Sequence, residues 1–396
     1  MIKRTHYIEQ IRPFFESDLI KVITGIRRCG KSVLMEQIQD EFRRQGKPTL
    51  RLNFEELATA KTIPDISALE DVVEKALIAA GNQKLYVFLD EVQNLPDWNI
   101  GCKSLRLKNL SLFITGSNSK LLSREFTKEL SGRYISFRIR PFVYKELQEY
   151  AEQLKRQYSV TDYMIYGGFP KVIESETKAA VVQYLNELDQ TIVMNDILNR
   201  YNIRKDVIFR RLVNFVLISN ARILSANSIL KFLKNEKLEV TLSTVLKYLS
   251  YLEEAYIISS VPQFSTKAKR ELRYYTKIYN EDVAFNSIRQ VDNRWDLTHN
   301  LENIIYNELL YRDYSLRVFR QGDLEIDFLA VKNGKEILIQ VAYSIVEPST
   351  YEREFALFNK LDNSRQKIII TNDDVDFSTS TVKHIRLRDF LLGDDL

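Results

Sequence analysis

Eight consecutive residues, Gly25-Ile26-Arg27-Arg28-Cys29-Gly30-Lys31-Ser32, place two glycines, a lysine and a hydroxyl at the spacing GxxxxGK[ST]. That pattern suits the chemistry of holding a nucleoside triphosphate. The glycines let the backbone wrap a phosphate without Cβ clashes, so that successive N–H groups point inward at a helix start. Lys31 would then reach the β- and γ-phosphates, and the Ser32 hydroxyl would ligate magnesium. Val33 opens the following helical run, VLMEQIQDEFRRQ, and closes the expected binding set of residues 25 to 33. Cys29 occupies a free position of the loop, where a small side chain fills space.

A second constellation lies downstream. In LYVFLDEVQ an apolar strand runs into Asp90-Glu91, which puts two carboxylates at the C-terminal end of a buried strand, where open α/β sheets bind ligands. Asp90 is expected in the magnesium shell and Glu91 as the group that polarises the attacking water. A further strand ends in Thr115-Gly116-Ser117-Asn118, so Asn118 or Ser117 could sense the γ-phosphate. Arg133 follows a Ser-Gly turn. It could stabilise transition-state charge in its own chain or in a neighbouring subunit, or form a surface salt bridge.

The elements that must carry these residues are short apolar runs at 19–24, 49–54, 84–90 and 110–116, alternating with amphipathic stretches. The runs read as apolar on both faces, as a parallel sheet covered by helices requires. Residues 160 to 200 read as helical, with a Gly-Gly-Phe-Pro break at 167–170. From 204 to 280 come three helices and two β-type runs, 257–264 and 271–280, joined by the basic tip STKAKR. Beyond 281 the pattern returns to mixed α/β. The expected organisation is a core at 1–155, a helical lid or connector at 156–203, a third segment at 204–280 and a last domain at 281–396.

GIRRCGKS, FLDEVQ with Trp98, ITGSNSKLL, SGR, the Pro-Phe pair at 141–142 and YGGFP occur in series along the chain. In that order they resemble the AAA-superfamily ATPases of bacteria and archaea in which an AAA-type core precedes a domain of unknown function. The resemblance implies an α/β fold with a P-loop NTPase (AAA-like) parallel sheet core, and ATP with Mg2+ as ligands. It implies ATP over GTP, and a guanine-reading NKxD motif is absent.

Hydrophobic residues make up 45% and charged residues 28% of 396, a globular composition spread over two to four units at roughly 100–200 residues per domain. The N-terminus is broken by Glu9, Arg12, Pro13, Glu16 and Asp18, unlike a signal peptide. No run reaches the ~18 apolar residues of a membrane helix. Two cysteines without CxxC spacing and three scattered histidines argue against disulfides and a His- or Cys-based metal site. A cytoplasmic location is expected.

The net charge is only +4, yet residues 204–277 hold 14 Lys and Arg against 6 Asp and Glu. Three helices followed by a hairpin resemble a winged helix-turn-helix, with the helix in TLSTVLKYLSYLEEA as recognition helix and Thr244, Lys247 and Tyr248 on its exposed face. Lys231, Lys234, Lys247, Lys267, Lys269, Arg270 and Arg273 would then contact DNA phosphates. Docking of a protein through the same segment is the competing expectation.

The tail, with Glu302 on a helix, Asp327 in LEIDFLAV and Gln340-Val341-Ala342 ending the next strand, resembles the PD-(D/E)xK, or restriction-endonuclease-like, fold. An active member needs a carboxylate at Gln340 and a lysine at Ala342. Both are missing, so the site reads as degenerate unless Lys332 or Lys335 moves in; alternatively Glu302 and Asp327 are satisfied surface carboxylates. The function expected is an ATP-driven switch or motor, possible as a homo-oligomer, with DNA as its partner. The alternative is a nucleotide-gated protein-interaction module whose hydrolysis is incidental.

Overall fold

The computed structural model describes residues 2–117, 130–264, 276–290, 294–321, 324–362, 364–394 and 396. The chain divides into two compact units, Met1–Pro141 with Glu254–Tyr256, and Phe142–Glu253 with Ile257–Leu396. No helix among the described residues is long and apolar enough to cross a membrane.

The first unit is built on five parallel strands: β1 (Ile20–Thr24), β2 (Thr49–Asn53), β3 (Leu85–Asp90), β4 (Leu110–Gly116) and β5 (Tyr134–Arg138). Their order across the sheet is β2-β3-β4-β1-β5. Every residue of β1, β3 and β4 is buried, because central parallel strands are covered on both faces. β2 differs from expectation. As an edge strand it is only half-buried along its length, which lets Arg51 sit among apolar neighbours. β4 lies between β1 and β3, so its C-terminal end reaches the residues that follow both.

The helix Lys31–Arg44 starts one turn after β1 and lays Leu34, Met35, Ile38 and Phe42 on the sheet. Phe42 stacks on Tyr86 with ring centroids 3.9 Å apart, and Phe88 stacks on Phe113 at 4.7 Å. These aromatic pairs fix the helix over β3 and β4. The opposite face is closed by Leu69, Val73, Cys102 and Leu105 packing on Val87, Leu89 and Leu112.

In the second unit an eight-stranded sheet runs β13-β12-β11-β10-β9-β7-β8-β6. Its strands are β6 (Arg222–Leu224), β7 (Ile258–Phe264), β8 (Thr276–Asn280), β9 (Ser315–Gln321), β10 (Leu324–Lys332), β11 (Lys335–Ala342), β12 (Gln366–Thr371) and β13 (Lys383–Arg386). The helices Asp206–Ile218, Ala226–Asn235 and Leu242–Glu254 precede the antiparallel pair β7–β8, with β6 added to the far edge of β8. A parallel pairing of Gln263 and Phe264 with Val318 and Phe319 joins this strand group to the remaining five. The expected hairpin tip lies outside the described residues.

The Gly-Gly-Phe-Pro break has a packing cause. Gly167 holds φ +73°, and a Cβ there would lie 1.6 Å from Asp282 Oδ1; a Cβ on Gly168 would lie 2.1 Å from the Phe142 carbonyl oxygen. The Gly168 N–H donates to Asp282 Oδ2 at 2.7 Å, and Phe142 N–H donates back to the Gly168 carbonyl at 2.8 Å. Burial pushes the Asp282 carboxyl up to about 7. Three distant segments thus meet at one knot.

Gly167→Ala is expected to destabilise the second unit by roughly 1–3 kcal/mol from overpacking, beyond the ~1–2 kcal/mol of a left-handed non-glycine residue. In an Asp282→Ala background the overpacking part disappears. Urea unfolding of the four proteins of this cycle checks it; equal costs in both backgrounds would contradict the knot.

Candidate active site

Gly25 leaves β1 at φ +147°, and a Cβ there would lie 2.1 Å from the Ile139 carbonyl oxygen. Only glycine fits. Arg28 at φ +69° and Gly30 at φ +99° complete the reversal into the helix Lys31–Arg44. The first N–H groups of any helix lack intrahelical acceptors, so this loop presents donors to whatever it encloses. Ile26 and Cys29 are buried beneath it, and the Cys29 thiol contacts the Ile139 carbonyl oxygen at 3.4 Å, the space-filling role expected. Arg27 turns outward to Glu55 at 3.1 Å.

Lys31 is buried, with Nζ 3.2 Å from the Gly25 carbonyl oxygen, 3.3 Å from that of Ile26 and 3.6 Å from Glu91 Oε1. Asp90 is fully buried. Its Oδ1 accepts from the Ser32 hydroxyl at 3.2 Å and the Thr115 hydroxyl at 2.5 Å, and its Oδ2 accepts from Arg51 Nη2 at 3.1 Å. Glu91 sits at φ +49°, a left-handed conformation that turns the chain sharply after the strand. Its N–H donates to Thr115 Oγ1 at 2.9 Å, while Oε2 accepts from Gln93 Nε2 at 2.5 Å and from the Ser117 N–H at 3.3 Å.

Lys31 and Ser32 at the helix start therefore converge with Asp90 and Glu91 at the end of β3. Two further residues escape local sequence reading. Thr115 joins the Asp90 carboxylate to the Glu91 backbone N–H because β4 is inserted between β1 and β3, a matter of strand order; Arg51 reaches Asp90 across the β2–β3 pairing, and a lone cation in an apolar strand was its only signal. Arg4 is the third such case. It is buried, and Nη1 donates to the Cys29 carbonyl at 3.0 Å and to the Arg140 carbonyl at 3.1 Å, tying the loop to the chain leaving β5.

Asn118 lies outside the described residues. Arg133 needs correction for its own chain. It is exposed and immediately precedes β5, with its carbonyl accepting from Ile20 at the start of β1. The glycine loop follows the other end of β1, about 16 Å away at ~3.3 Å per residue. That is beyond the reach of an arginine side chain.

Residues 17–148 match a family model described as an AAA domain, and residues 157–291 match a domain of unknown function. Over 380 residues the chain is 32% identical to an uncharacterised protein of Haemophilus influenzae, covering 94% of this chain and 93% of that one. An uncharacterised protein of Methanocaldococcus jannaschii is 30% identical over 382 residues, covering 90% and 82%. The chain belongs to this family of proteins, and its first unit carries the AAA domain. Its fold is similar to that of the Walker-type ATPase of Pyrococcus abyssi, with a TM-score of 0.53 at 15% identity over 74% of this chain and 96% of that one.

Outside the AAA domain, the second unit also gathers carboxylates. Glu302 and Asp327 are buried, not at the surface, and Lys277 lies between them, with Nζ 2.6 Å from Glu302 Oε1 and 2.8 Å from Asp327 Oδ1. Burial favours loss of the Lys277 proton, but Asp327 and then Glu302 outweigh it and hold the ammonium charged. Burial and the Asp327 charge push the Glu302 carboxyl up to about 8. Gln340 accepts from the Asp327 N–H at 3.3 Å and donates to Glu354 Oε2 at 3.0 Å. Lys332 lies over the Tyr314 ring instead, and Lys335 is exposed. The lysine that enters is Lys277, drawn from the segment that looked like solvated basic surface.

Arg4→Ala should lower the stability of the AAA domain by about 1.5–3 kcal/mol, the value of hydrogen bonds to a charged group, measured by chemical unfolding. Lys277→Met should cost the second unit about 3–5 kcal/mol near pH 8, because two buried carboxylates lose their counter-ion. With its folded-state value raised above the unfolded one, the Glu302 carboxyl favours folding while protonated and loses that contribution as pH rises. The Lys277→Met deficit should thus shrink at pH 5. A deficit independent of pH would contradict the ion cluster.

Proposed function

We propose that the AAA domain binds ATP with magnesium and hydrolyses it to ADP and phosphate, and that this cycle drives a switch or motor acting on DNA docked by the second unit. The observation that carries the reading is the convergence of Lys31, Ser32, Asp90 and Glu91 at one end of the sheet.

Each residue has a physical task in this reading. The backbone of Gly25, Ile26, Arg27, Arg28, Cys29, Gly30 and on to Val33 supplies N–H donors to the phosphates. Lys31 exchanges its carbonyl and Glu91 contacts for β- and γ-phosphate oxygens. Ser32 Oγ and Asp90 Oδ1, 3.2 Å apart, form a pair of hard oxygens suited to magnesium, which when bound neutralises phosphate charge. Glu91, held by Gln93 and Ser117, orients the attacking water and withdraws its proton. Asn118 would read the γ-phosphate. Arg133, too far from its own loop, would act on the nucleotide of a neighbouring copy, which makes a homo-oligomer part of the proposal.

The second unit supports the DNA half. Its order of helix, β6, two helices and the β7–β8 pair is consistent with a winged helix, and Lys234 and Lys247 are exposed on its second and third helices. Lys277 drops out of the basic surplus because carboxylates neutralise it. The same ammonium occupies the space between Glu302 and Asp327 where a nuclease of the PD-(D/E)xK type would hold its metal, so a catalytically silent domain is the reading for residues 281–396. A protein partner is favoured by one observation: Leu242 and Leu246 of the third helix are 39% and 46% exposed, while Tyr248, expected outside, is buried. Under that reading the unit is a nucleotide-gated interaction module.

Lys31→Ala should abolish ATP turnover, and Glu91→Gln should retain nucleotide while slowing turnover by roughly 100-fold or more. Phosphate release and nucleotide binding measured side by side test this. Undiminished turnover in both variants would defeat the assignment.

A further inference from the structure

A recess of about 820 Å³ opens in the second unit, between the loop at 201–205, the end of the helix Ala226–Asn235 and the start of the helix Leu242–Glu254. Arg204, Lys205, Lys234, Lys237 and Lys247 line it, all exposed, against the single carboxylate Glu239. No ion pair joins any of the five to a carboxylate among the described residues. Nearby carboxylates are otherwise engaged: Asp206 pairs with Arg210, and Glu236 with Arg211. Five like charges around one hollow repel each other, and an anion seated there relieves the repulsion.

The walls add a second feature. Tyr201 stacks on Tyr251 with ring centroids 3.5 Å apart and planes 12° from parallel, and Lys247 Nζ lies 5.8 Å from the Tyr251 centroid. Tyr251 is buried and Tyr201 half-buried, so Tyr201 is the more accessible ring of the pair. Cations interleaved with an aromatic platform match the chemistry of unpaired nucleotides, whose phosphates take the charge while their bases stack.

Size and shape decide between strands. The recess falls within the roughly 300–1,000 Å³ that encloses a small organic ligand, far more than one phosphate needs. A duplex receives a projecting helix in its ~12 Å major groove. Here the cations surround a hollow at the start of the third helix, and the face beyond it carries Leu242 and Leu246. We propose that this recess binds a short stretch of single-stranded nucleic acid, with Tyr201 stacking a base and the five cations holding its backbone. The proposal rests on the nucleic-acid reading of the second unit and replaces duplex docking with strand capture.

The test is fluorescence anisotropy of the full chain with labelled oligothymidine, oligouridine and a duplex of equal length, from about 50 to 200 mM salt. The single strands should bind at least ten-fold tighter than the duplex, and the stronger of the two distinguishes DNA from RNA. Tyr201→Ala should weaken single-strand binding about 5- to 150-fold, the range for one stacked base. Tyr201→Phe should restore most of it. Because Tyr201 also packs on Tyr251, the exposed pair Lys234→Glu/Lys237→Glu gives an independent reading: weaker binding, a shallower salt dependence and unchanged ATP turnover. Duplex binding that equals single-strand binding and ignores Tyr201→Ala would overturn this proposal and leave the DNA reading standing. No binding of any of the three at low salt would remove both.

Discussion

The fully buried Asp90 carboxylate at the end of β3 is the constraint around which the first unit is organised. An apolar strand carries it into a place with little water, where an unpaired carboxylate is costly. Every neighbour answers that cost. Ser32 arrives on the glycine loop, Thr115 on the inserted strand β4 and Arg51 from the edge strand β2. Glu91 beside it faces Lys31. Strand order, loop conformation and the positive φ of Glu91 all serve to bring donors to two adjacent carboxylates.

The second unit meets the same problem and resolves it differently. Glu302 and Asp327 are also buried together, but the charge that balances them comes from Lys277 on β8 at 2.6 and 2.8 Å, in direct contact on both sides. Around Asp90 the partners are hydroxyls and one arginine; between Glu302 and Asp327 it is a covalently supplied ammonium. The first arrangement leaves hard oxygens that a cation can enter, and the second is already neutralised from within. One chain thus holds one carboxylate pair set up for exchange and another locked in place.

Much of this was legible in the amino-acid order. Three of the apolar runs became β1, β3 and β4 because continuous apolar character is sufficient for a strand covered on both faces, the fourth became the half-buried edge strand β2, and the glycine loop was legible because its geometry is local. β5 was missed: YISFR alternates, and only its pairing with β1 makes it a strand. Thr115 and Arg51 act through strand order and register, which no local pattern contains. Lys277 was concealed by its neighbours, since a lysine in a basic segment reads as solvated until long-range pairing buries it. Glu302 and Asp327 were recognised as a pair, but not what joins them.

The central claim is that nucleotide engages the glycine loop and Asp90–Glu91, and that the carboxylates of the second unit take no part. Hydrogen exchange of the whole chain, with and without ATP and magnesium, tests it most directly. The account predicts slowed exchange in peptides covering residues 25–33 and 90–92, with none that depends on nucleotide around Glu302, Asp327 and Gln340. Protection confined to that second cluster, or absent from the loop at saturating nucleotide, would contradict it.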